Sequence, residues 1–128
     1  MTPPQPPRNI TLAQSFWYAM RGIWLVVRSE RNFQLHLAAV VCVVPLAIVV
    51  GCSAQDWAIL CLAMGMVLVA EILNTAIETV VDFFSPEYHP LAGRAKDIAA
   101  GGVLLAALTA VAVASWILFI PLYYWIRG

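Results

Sequence analysis

Long apolar segments separated by short polar stretches predict four helices in this chain. The first is expected over residues 11–31, because TLAQ at 11–14 has capping-box spacing and apolar residues then recur on one face. Its arginines and tryptophans are typical of a helix lying in a membrane interface, although a cytosolic helix packed on other protein also fits. Three further segments, at about 33–50, 57–84 and 96–125, are long and apolar enough to cross a bilayer. The pattern predicts an all-α fold with one amphipathic surface helix and three transmembrane helices.

The composition supports an integral membrane protein. Of the 128 residues, 62% are hydrophobic and only 11% are charged, whereas a soluble domain of this size needs a polar surface. The formal net charge is zero and no basic patch is present, which argues against nucleic acid as a partner. Residues 1–10 are rich in proline and are expected to form a disordered tail, which leaves 11–128 as a single membrane domain.

The basic residues predict how the chain is oriented. Arg21, Arg28 and Arg31 precede the first span, and Arg94 and Lys96 lie in the loop between the second and third spans. The loop between the first two spans has no lysine or arginine. By the positive-inside rule, the N-terminus and the second loop are expected on the cytoplasmic side.

A stripe of polar residues interrupts the second span. At about 100° per residue, Glu71, Asn74, Glu78 and Asp82 fall on one narrow face of a helix. A carboxylate near the bilayer centre costs on the order of 3 kcal/mol, so the stripe indicates ion coordination, proton handling or a reaction. Three helices alone are not expected to shield the stripe from lipid, which predicts that the chain forms oligomers.

The depths of these carboxylates suggest different roles. Glu71 would lie roughly 21 Å along the helix from Trp57, in the apolar half nearer the cytoplasm, where it is suited to accept a proton. Glu78 would lie about 10 Å further on, where water and Mg²⁺ can reach it, and Glu30 could supply a second carboxylate. Together with Lys96, these groups could support phosphoryl transfer to a lipid hydroxyl. The chain has no glycine-rich phosphate loop, so a nucleotide would have to bind in another way.

Two motifs make the chain resemble a known family. The segments EILNTAIETVVD at 71–82 and EYHPLAGRAKD at 87–97 closely resemble the prokaryotic diacylglycerol kinases, which are small three-span lipid kinases. The likeness runs from about Ser15 into the third span, which is nearly the whole chain. SERNFQLH at 29–36 and the proline in His89-Pro90 look more like the undecaprenol kinase branch.

The resemblance implies an ATP- and Mg²⁺-dependent homotrimer in the bacterial inner membrane, with shared active sites at the cytoplasmic surface. It implies that Glu71 is the general base and that Glu30 and Glu78 bind the metal. Besides those two metal ligands, the implied nucleotide-site residues are Tyr18, Glu87, His89, Lys96 and Asp97. The residues implied to support the catalytic face or to lie beside the lipid are Asn74, Asp82, Asn32, His36 and Ala100.

Several alternatives stay open at this point. Undecaprenol is the favoured acceptor and diacylglycerol is the alternative. Two other classes also fit the buried stripe, namely a small proton-coupled transporter and a non-catalytic assembly subunit. One departure from the family concerns the start of the surface helix, where relatives often carry a basic residue and this chain has Thr11 and Gln14, unless Arg8 takes that place.

Overall fold

The computed structural model describes residues 10–87 and 89–128, and their regular secondary structure is all helical. The predicted tail lies outside these residues except for Ile10, and so does Arg8. In chain order, the elements are α1 (Leu12–Ser29), α2 (Arg31–Val50), α3 (Ala54–Phe84), α4 (Pro90–Ala114), a π-helical turn (Ser115–Phe119) and α5 (Ile120–Arg127).

Three helical segments are long and apolar enough to cross a membrane. They are Arg31–Val50, Ala54–Phe84 and Pro90–Arg127, the last of which combines α4, the π-helical turn and α5. This agrees with the three predicted spans and identifies a multi-pass membrane protein. The most extensive packing is between α3 and α4, while α2 packs on α3 and α1 packs on α2 and α3.

Local side-chain bonds define the starts of α1 and α3, and the first of these was predicted from the sequence. Thr11 Oγ1 accepts from the backbone N–H of Gln14 at 3.3 Å, and Gln14 Oε1 accepts from the N–H of Thr11 at 2.9 Å. Ser53 and Asp56 form the same capping box at the start of α3. Thr11 and Gln14, which stand where relatives often carry a basic residue, therefore cap the start of α1 with their side chains.

Three predicted boundaries were wrong. The second span begins at Ala54 instead of residue 57, because Ser53 and Asp56 cap α3 there. The first helix ends at Ser29 instead of residue 31, because Glu30 is extended (φ −99°, ψ 112°) and separates α1 from α2. The third span begins at Pro90 instead of residue 96, because His89 Nδ1 accepts from the N–H of Leu91 at 3.2 Å and proline is favourable in the first turn. Lys96 thus lies on a helix and not in a loop.

The end of the bundle near the α2–α3 connection is apolar. Ala47, Leu60 and Leu118 are buried together there, with Trp57 and Met64 packed against them. Gly51 ends α2 in the left-handed conformation (φ 76°), which glycine adopts without steric cost, and the chain turns back into α3. We call this cluster the apolar end.

Candidate active site

The polar stripe of α3 faces the interior of the chain. Glu71 is 3% exposed and Asn74 is 8% exposed, and they are the two buried polar residues among those the structure describes. Glu78 is half-buried and Asp82 is exposed. The stripe therefore runs from the interior of the chain at Glu71 and Asn74 to its surface at Asp82. The argument that one chain cannot shield it was wrong for Glu71 and Asn74, because the chain's own helices already cover them.

Each carboxylate of the stripe has a polar neighbour at close range. His36 Nε2 on α2 lies 3.3 Å from Glu71 Oε1. Asn74 Nδ2 donates to Glu78 Oε1 at 2.9 Å, one turn along α3. Further on, Lys96 Nζ on α4 lies 2.6 Å from Asp82 Oδ1. The result is a ladder of polar contacts that runs along α3 and connects it to α2 and α4.

A cavity of about 330 Å³ opens beside the buried half of this ladder. We call it the inner cavity. It is lined by Asn32, Leu35, His36, Glu71, Asn74, Ala100, Val103, Leu104 and Ala107. The implied base Glu71 therefore shares one space with four of the five residues implied to support the catalytic face or to lie beside the lipid, and Asp82 is the exception. The lining combines a few polar groups with an apolar wall, which suits a lipid with a polar end.

A second cavity of about 190 Å³ lies where α3 ends and α4 begins. We call it the outer cavity. Its polar lining includes Asp82, Glu87, His89 and Lys96, and the last three are predicted nucleotide-site residues. The other two, Tyr18 and Asp97, are exposed and line neither cavity. Within one chain, the predicted nucleotide site is thus only partly assembled.

The corner between α1 and α2 places Glu30. Gln34 Nε2 donates to the carbonyl oxygens of Val27 and Arg28, at 3.0 and 3.4 Å, which connects the two helices. Glu30 is half-buried and accepts from Ser29 Oγ at 3.0 Å. Both Glu30 and Glu78 are close enough to Glu71 for their charges to act on it. The two predicted metal ligands therefore lie on the same side of the bundle as the predicted base.

One polar atom of this site has no partner. Because Asn74 donates its amide N–H to Glu78, its oxygen Oδ1 points elsewhere and accepts no hydrogen bond. It is the one buried side-chain nitrogen or oxygen without a partner in the part of the chain that the structure describes. An unsatisfied buried acceptor costs about 1–3 kcal/mol, so a donor is expected in the inner cavity that Asn74 lines. The sequence placed Asn74 on the stripe but did not reveal this free oxygen.

Comparison with known proteins identifies the family. The model of the prokaryotic diacylglycerol kinase family matches residues 17–118. The chain belongs to this family. Its members are lipid kinases, so the match favours an enzyme over the transporter and the assembly subunit. The matched range includes α2, α3 and α4, and with them both cavities.

Several relatives support membership of the prokaryotic diacylglycerol kinase family. An undecaprenol kinase from Bacillus subtilis is 43% identical over 108 residues, which is 84% of this chain and 87% of the relative. A diacylglycerol kinase from Synechocystis is 43% identical over 112 residues, 87% of this chain and 64% of that protein. A diacylglycerol kinase from Escherichia coli K12 is 38% identical over 109 residues, 85% of each chain. The chain is thus similar to kinases that are named for two different acceptors.

Proposed function

We propose that this protein transfers the γ-phosphoryl group of ATP to the hydroxyl of undecaprenol in an Mg²⁺-dependent reaction. The observation that carries this proposal is the inner cavity, whose wall holds a buried carboxylate and an unpartnered acceptor, Asn74 Oδ1. A lipid hydroxyl that enters the cavity can donate its one proton to this oxygen before the reaction and to the Glu71 carboxylate during it. The apolar remainder of the lining accepts the hydrocarbon next to that hydroxyl.

In the proposed reaction, Glu71 acts as the general base. The lipid hydroxyl donates a hydrogen bond into the inner cavity and loses its proton to the Glu71 carboxylate as its oxygen attacks the γ-phosphorus. A new phosphorus–oxygen bond forms, the bond between the γ-phosphorus and the β–γ bridging oxygen breaks, and ADP leaves with the electron pair. Lipid phosphate and ADP are the products, and the proton on Glu71 returns to water.

Glu30 and Glu78 are the proposed metal ligands. Carboxylate oxygens suit Mg²⁺, which is commonly held by one or two carboxylates together with substrate phosphates and water. Two carboxylates leave the remaining positions around Mg²⁺ to phosphate oxygens and water, so this pair fits a metal shared with the nucleotide. When bound, Mg²⁺ would offset the negative charge of the phosphates. The hydrogen bond from Asn74 fixes one oxygen of Glu78 in place for this role.

The outer cavity is the proposed entrance for the nucleotide. Lys96 can neutralise phosphate charge there, and Glu87 and His89 line the same space. Tyr18 and Asp97 lie outside this cavity, so we propose that a neighbouring protomer completes the site in a homotrimer. In this proposal, protomers still share active sites as predicted. The trimer forms the nucleotide site, and it is not needed to shield Glu71 from lipid.

We further propose that α1 lies in the membrane interface on the cytoplasmic side of the bacterial inner membrane. Its large apolar side chains are exposed, including Phe16, Trp17 and Trp24. The guanidinium of Arg21 lies 5.6 Å from the ring centre of Trp17, and that of Arg28 lies 4.9 Å from the ring centre of Trp24. Rings and cations paired in this way suit the boundary between acyl chains and headgroups.

The choice of acceptor rests on two short segments. Identity alone does not separate the acceptors, since an undecaprenol kinase and a diacylglycerol kinase are both 43% identical to this chain. The resemblance of SERNFQLH at 29–36 and of His89-Pro90 to the undecaprenol branch favours undecaprenol. Asn32 and His36 of the first segment line the inner cavity, where they would meet the lipid.

The test is a panel of acceptor lipids with labelled ATP and Mg²⁺. The purified protein is reconstituted in vesicles containing undecaprenol or diacylglycerol at equal mole fraction, and label transfer to each lipid is measured. We expect faster transfer to undecaprenol. Faster transfer to diacylglycerol would reverse the choice of acceptor, and the absence of transfer to either lipid would reject the proposed function.

A further inference from the structure

We propose that His36 is a positioning residue for the base: it holds Glu71 Oε1 and leaves the other carboxyl oxygen free to take the proton of the lipid hydroxyl. This inference rests on the proposed kinase function and adds a residue to its mechanism. The family resemblance placed His36 only beside the lipid and gave it no role toward Glu71.

The geometry brings together two side chains from different helices. His36 Nε2 on α2 lies 3.3 Å from Glu71 Oε1 on α3. His36 is the one described residue whose basic nitrogen lies within ion-pair distance of Glu71. The two other charges that act on Glu71, those of Glu30 and Glu78, are both negative and repel its carboxylate. Among these three neighbours, His36 is the one that can donate a hydrogen bond to the Glu71 carboxylate from a ring nitrogen.

The surroundings of the pair make this donor effective. The Glu71 side chain is almost fully buried, and a buried carboxylate is costly unless it is hydrogen-bonded. When its Nε2 is protonated, His36 donates to Oε1, because a carboxylate can only accept. A carboxylate held through one oxygen presents its second oxygen in a fixed direction. This is the arrangement of a base that is oriented by a third group.

His36 also lies at the boundary between the polar and apolar parts of the lipid path. Besides the inner cavity, it lines a neighbouring groove of about 170 Å³ between α2, α3 and α4. Ala107 lines both spaces too, and the remaining lining of the groove is apolar, from Ala39 to Ala114. A lipid with its hydroxyl at Glu71 and its chain in this groove would pass His36. The same residue could thus be a lipid contact, and the experiment must distinguish that role from positioning.

The experiment compares two substitutions of His36. His36→Leu removes the donor and puts an apolar side chain of similar size in its place. His36→Gln keeps an N–H donor near the place of Nε2. Val41→Ala is the matched control, because Val41 lies on the same helix, is 65% exposed and lines neither the inner cavity nor the neighbouring groove. For each protein in vesicles, kcat, the KM for undecaprenol and the thermal unfolding midpoint are measured with ATP and Mg²⁺.

Positioning predicts a loss of kcat that the conservative variant restores. We expect His36→Leu to lower kcat roughly 10- to 100-fold, as is typical when a group that holds a functional side chain is lost, with KM for the lipid changed less than about threefold. We expect His36→Gln to recover most of this loss, and Val41→Ala to match the wild type.

Other outcomes would reject the inference. A rise in KM with unchanged kcat would make His36 a lipid contact, and wild-type kinetics in His36→Leu would leave it without a role. If His36→Leu fails to fold, the result for His36→Gln decides alone. A kcat of His36→Gln as low as that of Glu71→Gln would show that an N–H donor at this position is not enough, and it would reject the inference. Each of these outcomes is measured against a wild type that phosphorylates the lipid, so it rejects the role of His36 and leaves the proposed function standing. A wild type inactive on every lipid rejects both.

Discussion

The two ends of the helical bundle are built differently. At the apolar end, Ala47, Leu60 and Leu118 fill the space between the helices, with Trp57 against them. At the other end, which we call the polar end, the helices line two open cavities and carry a ladder of polar contacts from His36 and Glu71 to Asp82 and Lys96. One end has a buried cluster of packed apolar side chains, and the other has two cavities with polar groups in their lining.

This difference suggests that stability and chemistry are separated along the chain. Helices in a bilayer gain little from the hydrophobic effect and depend on close packing, which the apolar end supplies. The polar end retains an unsatisfied oxygen, Asn74 Oδ1, which a protein selected only for stability would avoid. Substitutions at the polar end should therefore change the reaction, and substitutions at the apolar end should change the free energy of unfolding.

The largest effect is expected from Glu71→Gln. The amide keeps the shape of the side chain and can still meet His36, but it cannot accept the proton, so we expect kcat to fall roughly 10²- to 10⁴-fold. Label transfer to undecaprenol measures the loss, and the unfolding midpoint should stay near that of the wild type. Activity within a few-fold of the wild type would mean that another group is the base.

A smaller effect, a weaker response to Mg²⁺, is expected from Glu78→Gln. The new carbonyl oxygen can still accept from Asn74, so the local structure is kept while one proposed metal ligand loses its charge. We expect the Mg²⁺ concentration for half-maximal transfer to rise about tenfold or more. Val80→Ala, an exposed position on the same helix, is the control. An unchanged Mg²⁺ dependence would exclude Glu78 as a metal ligand.

Lys96→Met should weaken ATP binding and leave lipid binding unchanged. It removes a cation from the outer cavity and keeps most of the side chain, and a charge-assisted hydrogen bond contributes about 1.5–3 kcal/mol. We therefore expect KM for ATP to rise about tenfold or more. Arg94→Met removes the same charge from the same helix outside the cavity, and a matching rise in that variant would show a general charge effect.

Leu60→Ala should have the smallest effect on the reaction. Leu60 is 1% exposed in the apolar end, and its truncation should lower the free energy of unfolding by about 2 kcal/mol through lost packing. We expect kcat per folded molecule to be unchanged. Leu108→Ala, at an exposed position on α4, is the control for stability. A loss of kcat in folded Leu60→Ala would show that the two ends are coupled.

The sequence predicted the features that depend on local signals. The capping residue Thr11 was readable, and the spacing of the stripe placed its four polar residues on one face of a helix. The early start of α4 was missed, because a proline, an alanine and a glycine near residue 90 resemble a loop until the cap from His89 is seen. Relations between helices, such as the pair of His36 and Glu71, have no signal in a single sequence.

The C-terminal helix also has a feature that the sequence alone does not predict. Pro121 lies just after the π-helical turn Ser115–Phe119, and its ring crowds the preceding turn of a regular α-helix. A widened turn relieves this crowding without ending the helix. The proline was readable in the sequence, but a kink, a break and a π-helical turn are all compatible with it. Pro45, by contrast, lies inside the regular α-helix α2, with no π-helical turn before it.

The most direct test of this account is an experimental structure of the protein with bound undecaprenol. The decisive measurement is the distance from the lipid hydroxyl oxygen to the Glu71 carboxylate. The account predicts that the hydroxyl lies in the inner cavity, about 3 Å from a carboxyl oxygen of Glu71 and within hydrogen-bond reach of Asn74 Oδ1. A hydroxyl found beside Lys96 in the outer cavity, or outside both cavities, would contradict it.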